Sequence, residues 1–194
     1  MDWTSLEAAV AVCSACGLCR GRTHAVPGAG DRKAAWLFVG DGPGYNEDLQ
    51  GEPFVGQSGQ MLDGMMQAMG LRRGDNTYIA NIVKCHPTDE SGKNRPPTPE
   101  ESAACRHYLD NQIALIEPEI IIALGRTAAA TLLEADPQTT LSSLRGKAHY
   151  FIHQGRKIPL IATYHPDDLL RNPVSKKQAW ADLVLVMNTH NGTP

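Results

Sequence analysis

The chain is notable first for what it lacks. No apolar stretch approaches the roughly 18 residues of a membrane span. The opening Met1-Asp2-Trp3 shows neither a basic n-region nor an apolar h-region. The expectation is therefore a cytoplasmic protein in a reducing compartment, with no membrane partner. A strong charge of either sign is also missing, since the formal net charge is -3; this argues against wholesale polyanion binding but leaves room for a basic groove on an acidic body. No Gly-Lys-Ser/Thr closes the stretch Gly40-Asp41-Gly42-Pro43-Gly44, so it is not a Walker phosphate loop. The cysteine count is odd, which, with metal-like spacing, speaks against a disulfide framework.

What is present is thiol-rich at one end. Cys13, Cys16 and Cys19 run at two-residue spacing, and Cys85 and Cys105 follow far downstream. Soft thiolates suit zinc or an iron-sulfur cluster, and both stay open at this point. The run resembles the C-x2-C-x2-C-x3-C-P spacing of ferredoxins, but Thr23 stands where a fourth local cysteine would be, so at least one ligand must come from a distant segment. With 194 residues and 42% hydrophobic content, one compact domain over 1–194 can build a sizeable core without a metal to hold it together.

The periodicity alternates between buried strands and helices. Residues 5–12 read as a short helix that delivers Cys13 and Cys16 into a turn. Apolar runs at 35–39, 77–83 and 119–124 read as strands buried on both faces, with shorter strands at 148–153 and 159–163. Helices are expected over about 61–69, 99–116, 126–134 and 175–187. That at Thr98-Pro99-Glu100-Glu101 has an N-cap, a first-turn proline and a capping glutamate. The long segment from Gly40 to Gly59 reads as a functional loop, and 88–97 as a polar loop. This pattern predicts an α/β fold: a three-layer αβα arrangement around a central, mostly parallel four-stranded sheet. Ligands in such folds sit beyond the carboxyl ends of the strands, where Asp41, Asn81, Lys84, Gly125 and His165 converge. Taken alone, Phe54 suits a core, and Asn81 must find hydrogen-bond partners within an apolar strand.

Ordered blocks then carry a resemblance: the C-x2-C run followed by Arg22-Thr23, Gly40-Asp41-Gly42-Pro43-Gly44 with Glu47-Asp48, Gly51-Glu52-Pro53-Phe54-Val55-Gly56, and Asn81-Ile82-Val83-Lys84-Cys85. Further on come Thr98-Pro99-Glu100-Glu101 with Cys105, Ala123-Leu124-Gly125, and His165-Pro166 with Leu169-Leu170-Arg171. Together they resemble the type 4 (iron-sulfur) uracil-DNA glycosylases of the uracil-DNA glycosylase superfamily. The resemblance implies a monomeric repair enzyme that flips uracil out of DNA and hydrolyses its glycosidic bond. It implies a [4Fe-4S] cluster on Cys13, Cys16, Cys85 and Cys105, with Cys19 spare. Phe54 would stack on the base, Asn81 would read its edge, Glu47 would exclude a C5 methyl group, and His165 would donate to the departing O2. Gly42 would line the substrate slot at the position where the best-known branch of the superfamily carries a catalytic Asp. Asp41, one methylene shorter than the Glu usual in the family, would orient water or balance the sugar cation, or else merely cap the loop. Leu169 and Leu170 would be exposed wedges in a loop. Arg171 and Lys84 would meet phosphates, together with Lys176, Lys177 and Arg126. Asp167 replaces the serine usual after His-Pro, and with Asp41 it favours an alternative, a non-catalytic iron-sulfur module that binds nucleic acid. The segment 88–95 lacks the basic, His-bearing insertion of relatives that trap uracil DNA covalently.

Overall fold

The computed structural model describes residues 1–192. In chain order its elements are α1 (Trp3–Val12), β1 (Ala29–Gly30), β2 (Trp36–Gly40), α2 (Tyr45–Gln50), α3 (Gly56–Ala68), β3 (Thr77–Asn81) and α4 (Pro99–Ile116). They continue with β4 (Ile120–Leu124), α5 (Arg126–Leu132), α6 (Leu141–Leu144), β5 (Ala148–His153), β6 (Arg156–Thr163), α7 (Pro166–Arg171) and α8 (Lys176–His190). The sheet has six strands in the order β1-β3-β2-β4-β6-β5. The four inner strands β3, β2, β4 and β6 are parallel, and the two outer ones are antiparallel to their neighbours. The expected parallel four are thus the inner part of a larger sheet. The strand expected at 148–153 is β5, which joins the sheet as a half-exposed antiparallel edge, and the unexpected strand is a two-residue piece at 29–30, too short to leave a sequence signal.

Every residue of β2, β3 and β4 is buried, as their continuous apolar runs require. Alternation divides the side chains between two cores. Leu37, Val39 and Ala123 face α1, α4 and α5, whereas Trp36, Phe38 and Ile122 face α3, α7 and α8. The three-layer αβα fold follows. Register aligns Gly40 with Asn81 and Leu124 with Thr163, so the parallel strands end together and their continuations meet on one rim.

Three differences from the sequence expectation bear on the site. β3 ends at Asn81, although Ile82 and Val83 still donate their N–H groups to the Gly40 and Asp41 carbonyls. The segment from Gly40 to Gly59 is not all loop, because it contains α2 and the first turn of α3. His165 N-caps a short helix, α7, in place of a loop. The capping box of α4 is as expected: Thr98 Oγ1 accepts from the Glu101 N–H, and Glu101 Oε2 accepts from the Thr98 N–H.

Candidate active site and cysteine centre

Beyond the carboxyl ends of the parallel strands lies a cavity of about 550 Å³, within the roughly 300–1,000 Å³ usual for small-molecule sites. Asp41, Gly42, Glu47, Phe54, Asn81 and His165 all line it, so residues spread over 125 positions of sequence converge there.

Asn81 forms the inner wall. It is only 2% exposed, and its Oδ1 has no hydrogen-bond partner among the described residues. Leaving a buried acceptor unpaired costs about 1–3 kcal/mol. The amide is kept in place by close packing: a Cβ at Gly40, directly opposite in the sheet, would lie 2.6 Å from both Asn81 Oδ1 and Phe54 Cζ. Only glycine leaves room there for the amide and the aromatic ring to approach each other. Phe54 is buried, and its ring centroid lies 5.4 Å from that of His165 at a 34° tilt. An aromatic platform, an unpaired amide and an imidazole thus surround one slot.

His165 Nδ1 accepts the N–H of Asp167 at 3.1 Å, the N-cap bond of α7. In the neutral ring the proton must then sit on Nε2, which makes that atom a donor. The Asp167 carboxylate lies 3.8 Å from Nδ1. Asp41 Oδ1 accepts from the N–H of Ala128 at 2.9 Å, in the first turn of α5. Burial pushes the Asp41 carboxyl above the usual carboxylate range, opposed by His165 and by the Ala128 N–H. Glu47 is buried, and its two oxygens accept from the N–H groups of Gly44 and Val55. It therefore closes the first turn of α2 and fixes the loop that carries Phe54.

Two expected DNA contacts need correction. Leu169 is 1% exposed and packs in the core under α3 and α8, because α7 is a helix whose inner face it occupies; only Leu170, 40% exposed, can reach a ligand. Lys84 is buried, and its Nζ donates to the Asn81 carbonyl and to Gln112 Oε1, so it cannot meet a phosphate. Burial lowers its pKa to about 8. Arg171 is exposed but already paired with Asp168. The sequence reading also missed Asn94, Arg95 and Pro96, which line the cavity from the polar loop before α4. Arg95 is anchored by a two-pronged pair with Glu101, and the capping glutamate was the only local signal for it.

On the other core face, Cys13, Cys16, Cys19, Cys85 and Cys105 line a common pocket, and no two are joined as a disulfide. Cys13 and Cys16 pack against the core that contains Cys85 and Cys105, whereas Cys19, on the 3-10 turn 17–20, does not. Arg22 reaches into this site: Nη1 donates to Cys85 Sγ at 3.3 Å and to the Cys13 carbonyl at 2.7 Å, and Nη2 donates to the Ala11 carbonyl at 2.9 Å. Burial pushes the Cys105 thiol up to about 11 and the Cys85 thiol in the same direction. Among the described residues no three His, Cys, Asp or Glu side chains are drawn together around one ion. Soft donors from the N-terminal turn, the stretch after β3 and α4, with a guanidinium against one sulfur, fit a larger, electron-poor thiolate-bound group.

Comparison with known proteins agrees with this geometry. Residues 27–184 match the Uracil DNA glycosylase superfamily. The chain is 42% identical over 172 residues to a type-4 uracil-DNA glycosylase of Archaeoglobus fulgidus, covering 88% of this chain and 84% of that one. It is 43% identical over 160 residues to that of Thermotoga maritima, covering 82% and 79%. With that of Pyrobaculum aerophilum it shares 38% over 187 residues, covering 95% and 93%. From fold, site and similarity together, the chain belongs to the uracil-DNA glycosylase superfamily, in its type-4 branch.

Proposed function

We propose that this protein starts DNA repair by flipping uracil out of DNA and hydrolysing its N-glycosidic bond. The observation that carries the reading is the buried, unpartnered Oδ1 of Asn81 in the wall of the cavity. A base whose edge offers N3–H to that oxygen and O4 to the amide NH2 satisfies the side chain, while cytosine reverses both contacts. Reaching the base requires extrusion from the stack, and an aromatic face such as Phe54 then holds it.

As the N1–C1′ bond breaks, its electron pair goes to the uracil ring and charge collects on O2. The Nε2–H of His165 is the donor for that charge. Water adds to the oxocarbenium-like C1′ and its proton passes to solvent, balancing the departing uracil anion, while ionised Asp41 orients the water or offsets the sugar's charge. Glu47 excludes a C5 methyl group, Gly42 lines the substrate slot, and Leu170 and Arg171 contact the DNA. Cys13, Cys16, Cys85 and Cys105 hold a [4Fe-4S] cluster, which when bound ties the N-terminal turn to the end of β3 and to α4. The chain acts as a monomeric, cytoplasmic, single-domain enzyme. No helix among the described residues is long and apolar enough to cross a membrane.

The binding-module alternative draws on Asp167, whose carboxylate stands about half exposed at the cavity mouth where it repels phosphate. An excision assay on one uracil in duplex and in single-stranded DNA decides between them. The parent should release uracil from at least one. Asn81→Asp should depress uracil release and improve relative action on cytosine. A parent that binds both DNAs and releases nothing would establish the binding module.

A further inference from the structure

We propose that Arg73, on the turn between α3 and β3 and outside the cavity, is the positioning residue for the Phe54 platform; this rests on the uracil reading above. Phe54 has φ +50°, a left-handed conformation that an aromatic residue keeps only where its surroundings over-determine it. Arg73 supplies that constraint. Its Nη1 donates to the Pro53 carbonyl and its Nη2 to the Phe54 carbonyl, each at 2.8 Å, so one planar guanidinium grips two successive peptides. Asp63 on α3 accepts from Arg73 Nε at 3.0 Å and sets the orientation of the fork.

The remaining contacts are consistent with a clamp. Glu47 holds the second of these peptides from its other side, accepting the Val55 N–H at 2.9 Å. A Cβ at Gly59 would lie 2.0 Å from the Phe54 carbonyl oxygen, so α3 approaches the loop closely enough for Arg73 to reach over it. A lysine carries the same charge but lacks the fork, so Arg73→Lys is not conservative here. Loss of the grip frees the Phe54 peptide to leave the left-handed region, and the ring then tilts away from the slot shared with Asn81 and His165.

Two measurements test this. The chain has three phenylalanines, so protein labelled with fluorophenylalanine gives three resonances, with that of Phe54 identified by its loss in Phe54→Ala. Arg73→Lys should shift or broaden that resonance and leave the other two in place. An unchanged Phe54 resonance, or equal changes in all three, overturns the proposal. The second compares affinity for DNA carrying a non-cleavable 2′-fluorinated deoxyuridine with affinity for DNA carrying a tetrahydrofuran abasic analogue. Arg73→Lys should weaken the first by about tenfold and the second by less than about twofold, the difference being lost base stacking. In a Phe54→Ala background it should add nothing. Equal weakening on both probes, or a loss that persists without Phe54, overturns the proposal. A parent that does not prefer the uracil probe overturns the uracil reading, while the fluorine spectra still decide the role of Arg73.

Discussion

The carboxylate of Asp41 accepts the backbone N–H of Ala128 at 2.9 Å, so the residue that follows β2 also caps the first turn of α5. A cap needs only an acceptor, whereas catalysis needs the charge. Asp41→Asn keeps the acceptor and removes the charge, and so separates the two roles.

Burial holds the Asp41 pKa above its ordinary value. Between the unfolded and the raised folded pKa, the native state binds more protons than the unfolded chain, so stability falls as pH rises through that window and stays lower above it. Asp41→Asn lacks this loss and should melt at a higher temperature than the parent near neutral pH. Excision by the parent should decline as pH falls through the same window, and the variant should be slow at every pH. A variant with the parent's single-turnover rate and acid limb would leave Asp41 as a cap alone.

His165→Ala removes the Nε2 donor and should slow single-turnover excision by about 100- to 1,000-fold. Affinity for non-cleavable uracil DNA should change by less than about threefold, because the charge develops only in the transition state. Parallel losses in rate and affinity would assign His165 to binding.

Protein purified without oxygen should be brown and carry about four irons per chain. Replacing Cys16, Cys85 or Cys105 with Ser should remove the iron and lower the melting temperature, and Cys19→Ser should do neither. Arg22→Gln loses the bonds to Cys85 Sγ and to the Cys13 carbonyl, so its colour should bleach faster in air. Iron loss from Cys19→Ser as severe as from Cys16→Ser would overturn the choice of ligands.

The adjacent leucines should separate cleanly. Leu169→Ala opens a cavity in the core and should cost about 2–5 kcal/mol of stability. Leu170→Ala should change stability by less than about 0.5 kcal/mol and weaken capture of uracil from duplex DNA more than from single strands. Denaturant melts and paired binding curves measure both.

Local chemistry decided how much could be read from sequence. The strands were legible because runs such as Ile120–Leu124 are apolar throughout, and the start of α4 because Thr98 and Glu101 form a cap within four residues. α2 was hidden because it is short, polar and flanked by glycines. The first turn of α3 contains Gly56 and Gly59, poor helix formers, the first kept by its φ of +72° and the close approach of Asn46, the second by that of the Phe54 carbonyl. Asn81 and His165 could be placed on one rim, since strand ends in a parallel sheet converge, whereas Phe54 was placed there only by the family resemblance. Lys84 was misread because its partner Gln112 lies 28 residues away on α4. Leu169 was misread because the helix capped by His165 has no periodic signal over six residues. Arg73 acts through backbone carbonyls 19 and 20 residues away, which leave no mark in the sequence.

The sheet ends unequally on its two sides. β1 is two residues long and offers almost no ladder to a neighbouring chain, whereas β5 presents six residues with Tyr150 and Ile152 exposed. An outer strand of that length with apolar side chains is where unintended strand pairing between molecules begins. Lys157, with its ammonium 3.9 Å from the Tyr150 ring centroid, places a charge on that face. β5 lines no part of the cavity, so solubilising substitutions at Tyr150 or Ile152 are expected to leave the chemistry untouched.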